Sequence, residues 1–293
     1  MVQMVNEHNV LKGILEIPNA IEDTLNLEKN SIKQISIEIV KKNPKVIYIT
    51  GHTNSFIGIG AKYAFEELTH TPTIAIPPND LINYESAISE EHFIVLVSET
   101  GSSPGPVAAA KHLEKKGVPT LAITNTKGSH LEKACKRSIL THAFHEAHAI
   151  TGHNAILATL YQIAIDMAKE QSKIKISTLN KLEDDLFKTP EIVRSVLNQK
   201  DNVKEIAQAC KGDKDIFMIG GGPNHATAII GGWLLGECAG LHGVGLDVEE
   251  VVHGPLYTGY PGMPLIAVAP EGKNFNKIIK LIEVIKDIGL KII

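Results

Sequence analysis

Three groups of residues have the types and spacing to do chemistry. The stretch Ser98-Glu99-Thr100-Gly101-Ser102-Ser103-Pro104-Gly105-Pro106 sets four hydroxyls within six residues around a glycine and then leads into a helical pattern. Hydroxyls, a backbone left bare at Gly101, and the free N–H groups and positive dipole end of a following helix together make a cradle for an anion such as phosphate. The same composition also makes an ordinary surface turn, since Ser, Gly and Pro are the usual turn residues. Glu237 follows an apolar run, 226–236, with no other ionisable side chain after His225. A carboxylate on such an element is partly desolvated, a setting that raises carboxylate pKa values toward the range of a general base. Pairing with a lysine at the helix end is the structural alternative. His253, in Glu249-Glu250-Val251-Val252-His253-Gly254-Pro255-Leu256, stands just ahead of a Gly-Pro break and so on or near a loop, where an imidazole either holds structure or moves protons.

A denser group, His142, His145, Glu146, His148 and His153, raises the question of a metal. Its spacing matches neither HExxH nor another standard zinc pattern and no cysteine lies close, so no metal site is read from it.

The composition bounds what these residues can serve. At 293 residues the chain has room for two domains of ~150 residues each. A hydrophobic fraction of 43% beside 21% charged residues is that of a globular protein with a real core. The net charge of −4 and just two arginines, Arg137 and Arg194, leave no basic footprint for nucleic acid. A small phosphorylated ligand would therefore be held mainly by backbone N–H groups, hydroxyls and lysine. Three widely spaced cysteines, Cys135, Cys210 and Cys238, form no CxxC and read as free thiols of a reducing, cytoplasmic location. The N-terminus has no basic region followed by an apolar stretch, so nothing marks it for secretion. From Asp215 to Glu237 no charged residue intervenes, long enough to raise a membrane span. The Gly220-Gly221-Gly222-Pro223-Asn224-His225 segment inside it predicts a strand, a glycine turn and a buried helix instead.

The elements that must position these residues follow from the apolar pattern. Residues 46–49, 73–76, 93–97 and 120–123 read as short strands whose near-continuous apolarity suits a sheet covered on both faces, hence parallel. Helical spacing in 58–68 and 107–115 between them makes βαβ units, and a longer apolar helix is expected over 151–169. The polar segment 171–189 marks the domain junction. This divides the chain into a lead-in at 1–34, a first domain at 35–175 and a second at 190–293. Lys45-Val46-Ile47-Tyr48-Ile49-Thr50-Gly51-His52-Thr53-Asn54 and the segment from Lys214 to Asn224 match in order and type. In each a strand ends in glycine and is followed by an apolar helix carrying a glutamate, Glu67 or Glu237, the pattern of a duplication or of any two βα units. In an open parallel sheet ligands sit beyond the carboxyl ends of the strands, where the loops above lie.

Taken together these residues resemble the double sugar-isomerase (SIS) domain family, in particular the isomerase half of glucosamine-6-phosphate synthase. The likeness starts at Ile14-Leu15-Glu16-Ile17-Pro18-Asn19-Ala20-Ile21 and runs to about Pro270. Gly51-His52-Thr53-Asn54-Ser55 stands in the place of the family's glycine-threonine-serine turn, and Ser98 to Ser103 in that of its serine-glutamine-serine-glycine phosphate loop. Glu146 to Gly152 lies where the family closes its sugar pocket, with Ala149 in the place of a backbone-contacting valine. Glu237, His242 and the segment Glu250 to Leu256 fall at the family's own spacing. The resemblance implies two doubly wound parallel α/β domains, the second short at its C-terminus by about two strands. Phosphate would bind at Ser98, Thr100, Gly101, Ser102 and Ser103, and the sugar at Gly51, His52, Thr53, Glu99 and Ala149. Glu237 would shuttle a proton between C1 and C2. His253 would assist ring opening from the neighbouring subunit of a homodimer.

The implied ligand is a sugar phosphate of the fructose 6-phosphate or glucosamine 6-phosphate type, with no cofactor, metal, nucleic acid or membrane. No glutaminase domain precedes residue 14, so isomerisation, deamination or removal of an amine from a fructosamine-type phosphate is the expected chemistry. The chain stops at Gly289-Leu290-Lys291-Ile292-Ile293, where a further strand and a tail with a catalytic lysine are expected, and Leu234 and Gly236 stand where the synthase has lysines. A sugar-phosphate sensor without turnover is the competing reading.

Overall fold

A computed structural model describes residues 7–51, 55–85, 87–143 and 148–293. The chain folds as two compact units, one spanning His8–Ser195 and the other taking in Val196–Ile293.

The first unit opens with two helices, α1 (Glu7–Leu27) and α2 (Lys29–Lys42). Then β1 (Ile47–Gly51), α3 (Ser55–Thr69), β2 (Thr73–Ile76), α4 (Pro78–Asn83), β3 (Phe93–Val97), α5 (Pro104–Lys115), β4 (Thr120–Thr124), α6 (His130–Ala134) and β5 (Arg137–Leu140) alternate, followed by α7 (His148–Gln171) and α8 (Ile176–Leu197). The five strands form one parallel sheet in the order β2-β1-β3-β4-β5, with Ile47 opposite both Thr73 and Phe93. Strands β1, β3 and β4 are buried at every residue, which is why their apolar runs are unbroken. Side chains alternate between the two faces. Ile94 and Leu96 meet Ala109, Ala110 and Leu113 of α5 on one of them. On the other side of the unit α7 packs against α2 and α3. The lead-in is thus part of the packing, since Ile21 and Leu25 of α1 join Ala158 and Ile165 of α7 and Leu186 of α8 in one cluster. The polar segment 171–189 spans the end of α7 and most of α8; Arg194 of α8 donates to Glu22 and Asn19 of α1.

The second unit carries α9 (Lys200–Ala209), β6 (Asp215–Gly220), α10 (Pro223–Ala239), β7 (His242–Asp247), β8 (Pro264–Val268), α11 (Phe275–Lys286) and β9 (Lys291–Ile292), with 3-10 turns at Glu250–Val252 and Pro255–Thr258. Its parallel sheet runs β7-β6-β8-β9, the order of the first sheet without its fifth strand. The match between the segments at 45–54 and 214–224 thus extends to topology: β1 and β6 each lie between the next two strands of their sheets. With β9 present, the second sheet is one strand smaller than the first rather than two. The span 215–237 is a strand, a glycine turn and a helix, as its sequence predicts, but α10 is not a buried helix. Its fully buried residues are Ala226, Ala228 and Gly232, on the face against β7. That contact is close because both surfaces lack side chains. A Cβ on Gly243 would sit 2.3 Å from the Gly232 carbonyl oxygen, and one on Gly245 would sit 2.2 Å from that of Ala228. Among the described residues no helix is long and apolar enough to cross a membrane.

Candidate functional site

In the first sheet the direction of winding reverses between β1 and β3, the place where open parallel sheets bind ligands beyond their carboxyl ends. The loop after β3 occupies it. Ser98, 1% exposed, donates from its Oγ to Ser103 Oγ at 2.9 Å, so the first and last hydroxyls of the loop meet. Thr100 and Ser102 lie at the surface, and Thr100 Oγ1 accepts from the Ser102 N–H at 3.2 Å. The loop backbone is pinned from beneath. The Glu99 carbonyl accepts from the Asn125 N–H (2.8 Å) and from Thr124 Oγ1 (3.1 Å), and the Gly101 carbonyl accepts from the Leu131 N–H (2.9 Å). Gly101 has φ +61°, and a Cβ there would fall 2.1 Å from Ser129 Oγ, so both conformation and space demand glycine.

The helix end contributes less than the sequence promised. α5 starts at Pro104 with Ser103 as its N-cap, and Pro104 and Pro106 carry no N–H. Gly105 therefore holds the one amide donor among the first three helical residues, against four hydroxyls in the loop before it. Neither arginine serves it. Arg137 pairs with both oxygens of Glu38 at 3.0–3.1 Å, and Arg194 with Glu22 at 2.6 Å.

The Glu99 side chain does not lie among the hydroxyls. It is 6% exposed and packs on α7, with its Oε1 3.9 Å from Nε2 of the equally buried His153. A Cβ on Gly152 would fall 2.5–2.9 Å from the Glu99 carboxyl atoms, so the carboxylate fills the space which that glycine leaves. This arrangement was missed in the sequence, where His153 stood only in a histidine group. The available signal was Gly152, since glycine inside a helix costs about 1 kcal/mol against alanine and marks a close approach.

Gly51 ends β1, fully buried. His52, Thr53 and Asn54 lie outside the described residues, as do His145 and Glu146; the backbone of Ala149 lies in the first turn of α7. His142 pairs with Glu28 at 3.4 Å.

The remaining candidates belong to the second unit. Glu237 sits in the last turn of α10, half-buried, with its Oε2 shielded from solvent. Burial, with the Glu237 carboxylate adding to it, pushes the neighbouring Cys238 thiol up. Cys135, Cys210 and Cys238 are all free. His253 is exposed and closes the 3-10 turn, its N–H donating to the Glu250 carbonyl at 3.0 Å. The Lys277 ammonium, with His253 assisting, holds the Glu249 carboxyl below its usual range. His242 starts β7 and pairs through Nδ1 with Asp215 at 2.9 Å, at the amino ends of the strands and so away from the loops.

Comparison with known proteins agrees with this architecture. The family described as SIS domain matches residues 38–166. The chain is 31% identical over 289 residues to the glutamine–fructose-6-phosphate aminotransferase (isomerizing) of Thermococcus kodakarensis, covering 98% of this chain and 48% of that protein. It therefore spans about half the length of the curated relatives it matches. The C-terminal domain of glucosamine-fructose-6-phosphate aminotransferase from Francisella tularensis superposes with a TM-score of 0.87 at 21% identity, covering 98% of this chain and 83% of that one. Glucosamine-6-phosphate deaminase from Thermotoga maritima does so with a TM-score of 0.78 at 18% identity, over 97% and 83%. The strand order, the loop after β3 and the likeness along almost the whole chain lead to one assignment: residues 38–166 match the SIS domain family, and the chain resembles the isomerase half of the glucosamine-6-phosphate synthases.

Proposed function

We propose that the chain binds a sugar phosphate at the loop after β3 and transfers a proton between C1 and C2 of that sugar, as an isomerase, an aminosugar-phosphate deaminase or a fructosamine-phosphate deglycase. The observation that carries the reading is the Ser98–Ser103 hydroxyl pair at the carboxyl end of β3, beside the point where the sheet reverses. Ser98, Thr100, Gly101, Ser102 and Ser103 would take the phosphate, and Gly51, His52, Thr53 and Ala149 would flank the sugar. Glu237 would be the base that removes a proton from one carbon and returns it to the next, a route that needs a single carboxylate within reach of both. The names of the aminotransferase relatives support the substrate class, since each contains fructose 6-phosphate. A cytoplasmic homodimer is the expected setting.

The test is exchange of the C2 proton in deuterated water with a panel of ketose and aminosugar 6-phosphates. Exchange with at least one of them is expected. Tight binding of a sugar phosphate with no exchange across the panel would favour the sensor, a reading to which Leu234 and Gly236 lend weight by leaving α10 without lysines.

His253 is exposed, as a residue acting in a partner's site would be before assembly. If it acts across a dimer, refolding Glu237→Gln chains together with His253→Ala chains places both lesions in one site of each mixed dimer and leaves the other intact. Random pairing then restores about a quarter of all sites in a two-fold assembly. No recovery in mixed dimers verified by mass assigns both residues to one chain.

A further inference from the structure

The last helix of the first unit, α8, is seated on α7 by apolar contacts and by one polar cluster. Leu179 and Leu186 of α8 are buried, the latter with Ala158 and Ile165 of α7. Glu183 lies between them at helical spacing and so on the same face. Gln162 Nε2 donates to Asp166 Oδ1 at 3.0 Å and to Glu183 Oε1 at 2.9 Å, so one amide nitrogen of α7 holds a carboxylate from each helix. Lys169 Nζ donates to Glu183 Oε2 at 2.8 Å. Asp166 has no further hydrogen bond or ion pair among the described residues. Gln162 is 5% exposed, and its shielded Oε1 accepts from no donor. Acceptors therefore outnumber donors in this cluster, and two like charges share one of the donors.

We propose that Gln162, Asp166, Lys169 and Glu183 form a proton-sensitive clasp between α7 and α8, which tightens when Asp166 takes up a proton and loosens when it is charged. The proton removes one of two like charges and adds an O–H donor. The charged groups facing Asp166 are Lys33 of α2, Lys169 of its own helix and Glu183 of α8. Burial, with Glu183 adding to it, pushes Asp166 up against the opposing Gln162 hydrogen bond and the two lysines. Burial also acts on Glu183, but the Lys169 and Gln162 hydrogen bonds outweigh it and hold that carboxyl below its usual range, with Lys29 of α2 assisting. Asp166 thus takes the proton first as pH falls. Because the folded chain binds that proton more tightly than the unfolded one, the stability due to Asp166 rises as pH falls through its raised value and levels off below the ordinary 3.8. Glu183 works in the opposite sense, its contribution being lost as pH falls below 4.5.

Urea unfolding of the full chain tests the clasp, with the first unit followed by hydrogen exchange of its own peptides. Asp166→Asn imitates the protonated acid and should raise the urea midpoint of that unit at pH 8. Glu183 is present in both proteins, so the gain over the wild type should shrink as pH is lowered to 4.5. Asp184→Asn makes the same charge change at the exposed neighbour of Glu183 and should give no such pH-dependent gain. Glu183→Gln should lower the midpoint, and by more when Asp166→Asn is also present, since the repulsion that offsets its pair with Lys169 is then already gone. In native exchange at pH 8, Asp166→Asn should slow α8 more than the strands of the first sheet. An Asp166→Asn protein no more stable than the wild type at pH 8 overturns the clasp. So does a gain that is equal at both pH values, is matched by Asp184→Asn or is spread evenly over the unit, and so does an equal cost of Glu183→Gln in both backgrounds.

Discussion

In the first sheet β3 ends at Val97, and the loop beyond it has the Glu99 and Gly101 carbonyls bonded inward, the Ser98 hydroxyl buried against Ser103, and Thr100 and Ser102 at the surface. In the second sheet the equivalent strand, β8, runs into Ala269-Pro270-Glu271-Gly272-Lys273-Asn274, and the Asn274 side chain folds onto the glycine turn after β6. A Cβ on Gly221 would fall 2.7 Å from Asn274 Cγ, so that turn is filled from within. Strand order is shared, and at the crevice this order creates one unit sets the Ser98–Ser103 hydroxyl pair while the other sets the Asn274 side chain. The second unit carries the other candidate groups, Glu237 at the far end of α10 and His253 on a 3-10 turn. A repeated topology therefore supplies places for function, and the loop side chains decide which of them is used.

Substitutions can break that comparison. The largest effect is expected from Glu237→Gln, which keeps shape and removes the base: C2 proton exchange should fall by about 100-fold or more, with sugar-phosphate affinity little changed. Ser98→Ala and Ser103→Ala should do the reverse. Each would cost about 1.5–3 kcal/mol of binding, the range for hydrogen bonds to a charged group. If Ser98→Ala left calorimetric affinity intact, or Glu237→Gln kept full exchange, the division of labour between the units would be wrong.

An intermediate effect separates the two crevices directly. Gly101→Ala combines φ +61° with a Cβ 2.1 Å from Ser129 Oγ, and should lower stability in urea by about 1–3 kcal/mol while weakening fructose 6-phosphate binding. Gly221→Ala meets a side chain instead. Its cost should be relieved by Asn274→Ala in the same chain, with phosphate affinity untouched throughout. Loss of sugar-phosphate binding in Gly221→Ala would mean that the second crevice takes part in recognition.

The smallest expected effect is chemical. Burial pushes the Cys135 thiol of the first unit up to about 11, so at pH 8 only ~0.1% is thiolate, the form that reacts with alkylating agents. Cys135 should be the slowest of the three cysteines to label under native conditions, as followed by peptide mass. Cys210 and Cys238 are pushed up as well, but lie in the less enclosed second unit, whose strands β7 and β8 are half-exposed along most of their length. Labelling of Cys135 at the rate of Cys238 would show that the first core is looser than its packing implies.

The sequence by itself determined the strands of the first sheet, because residues buried on both faces of a parallel sheet must be apolar without interruption, as in Phe93-Ile94-Val95-Leu96-Val97. It also determined the glycine turns and the hydroxyl-rich loop, which depend on local backbone freedom and residue chemistry. The double proline that strips α5 of donors was equally legible, though its meaning depended on the helix starting at Pro104. What the sequence left open were features set by contacts far apart along the chain. Strand β9 is two residues long and carries no periodic signal; its register against Pro264 and Leu265 exists only once β8 is in place. The half-exposure of α10 depends on what packs against an element that is apolar on every side. The approach of Glu99 to His153 joins residues 54 positions apart (153 − 99). Local pattern fixes which way a backbone runs, but the direction and neutralisation of a buried side chain follow from the neighbours that folding brings to it, and those the tertiary structure alone decided.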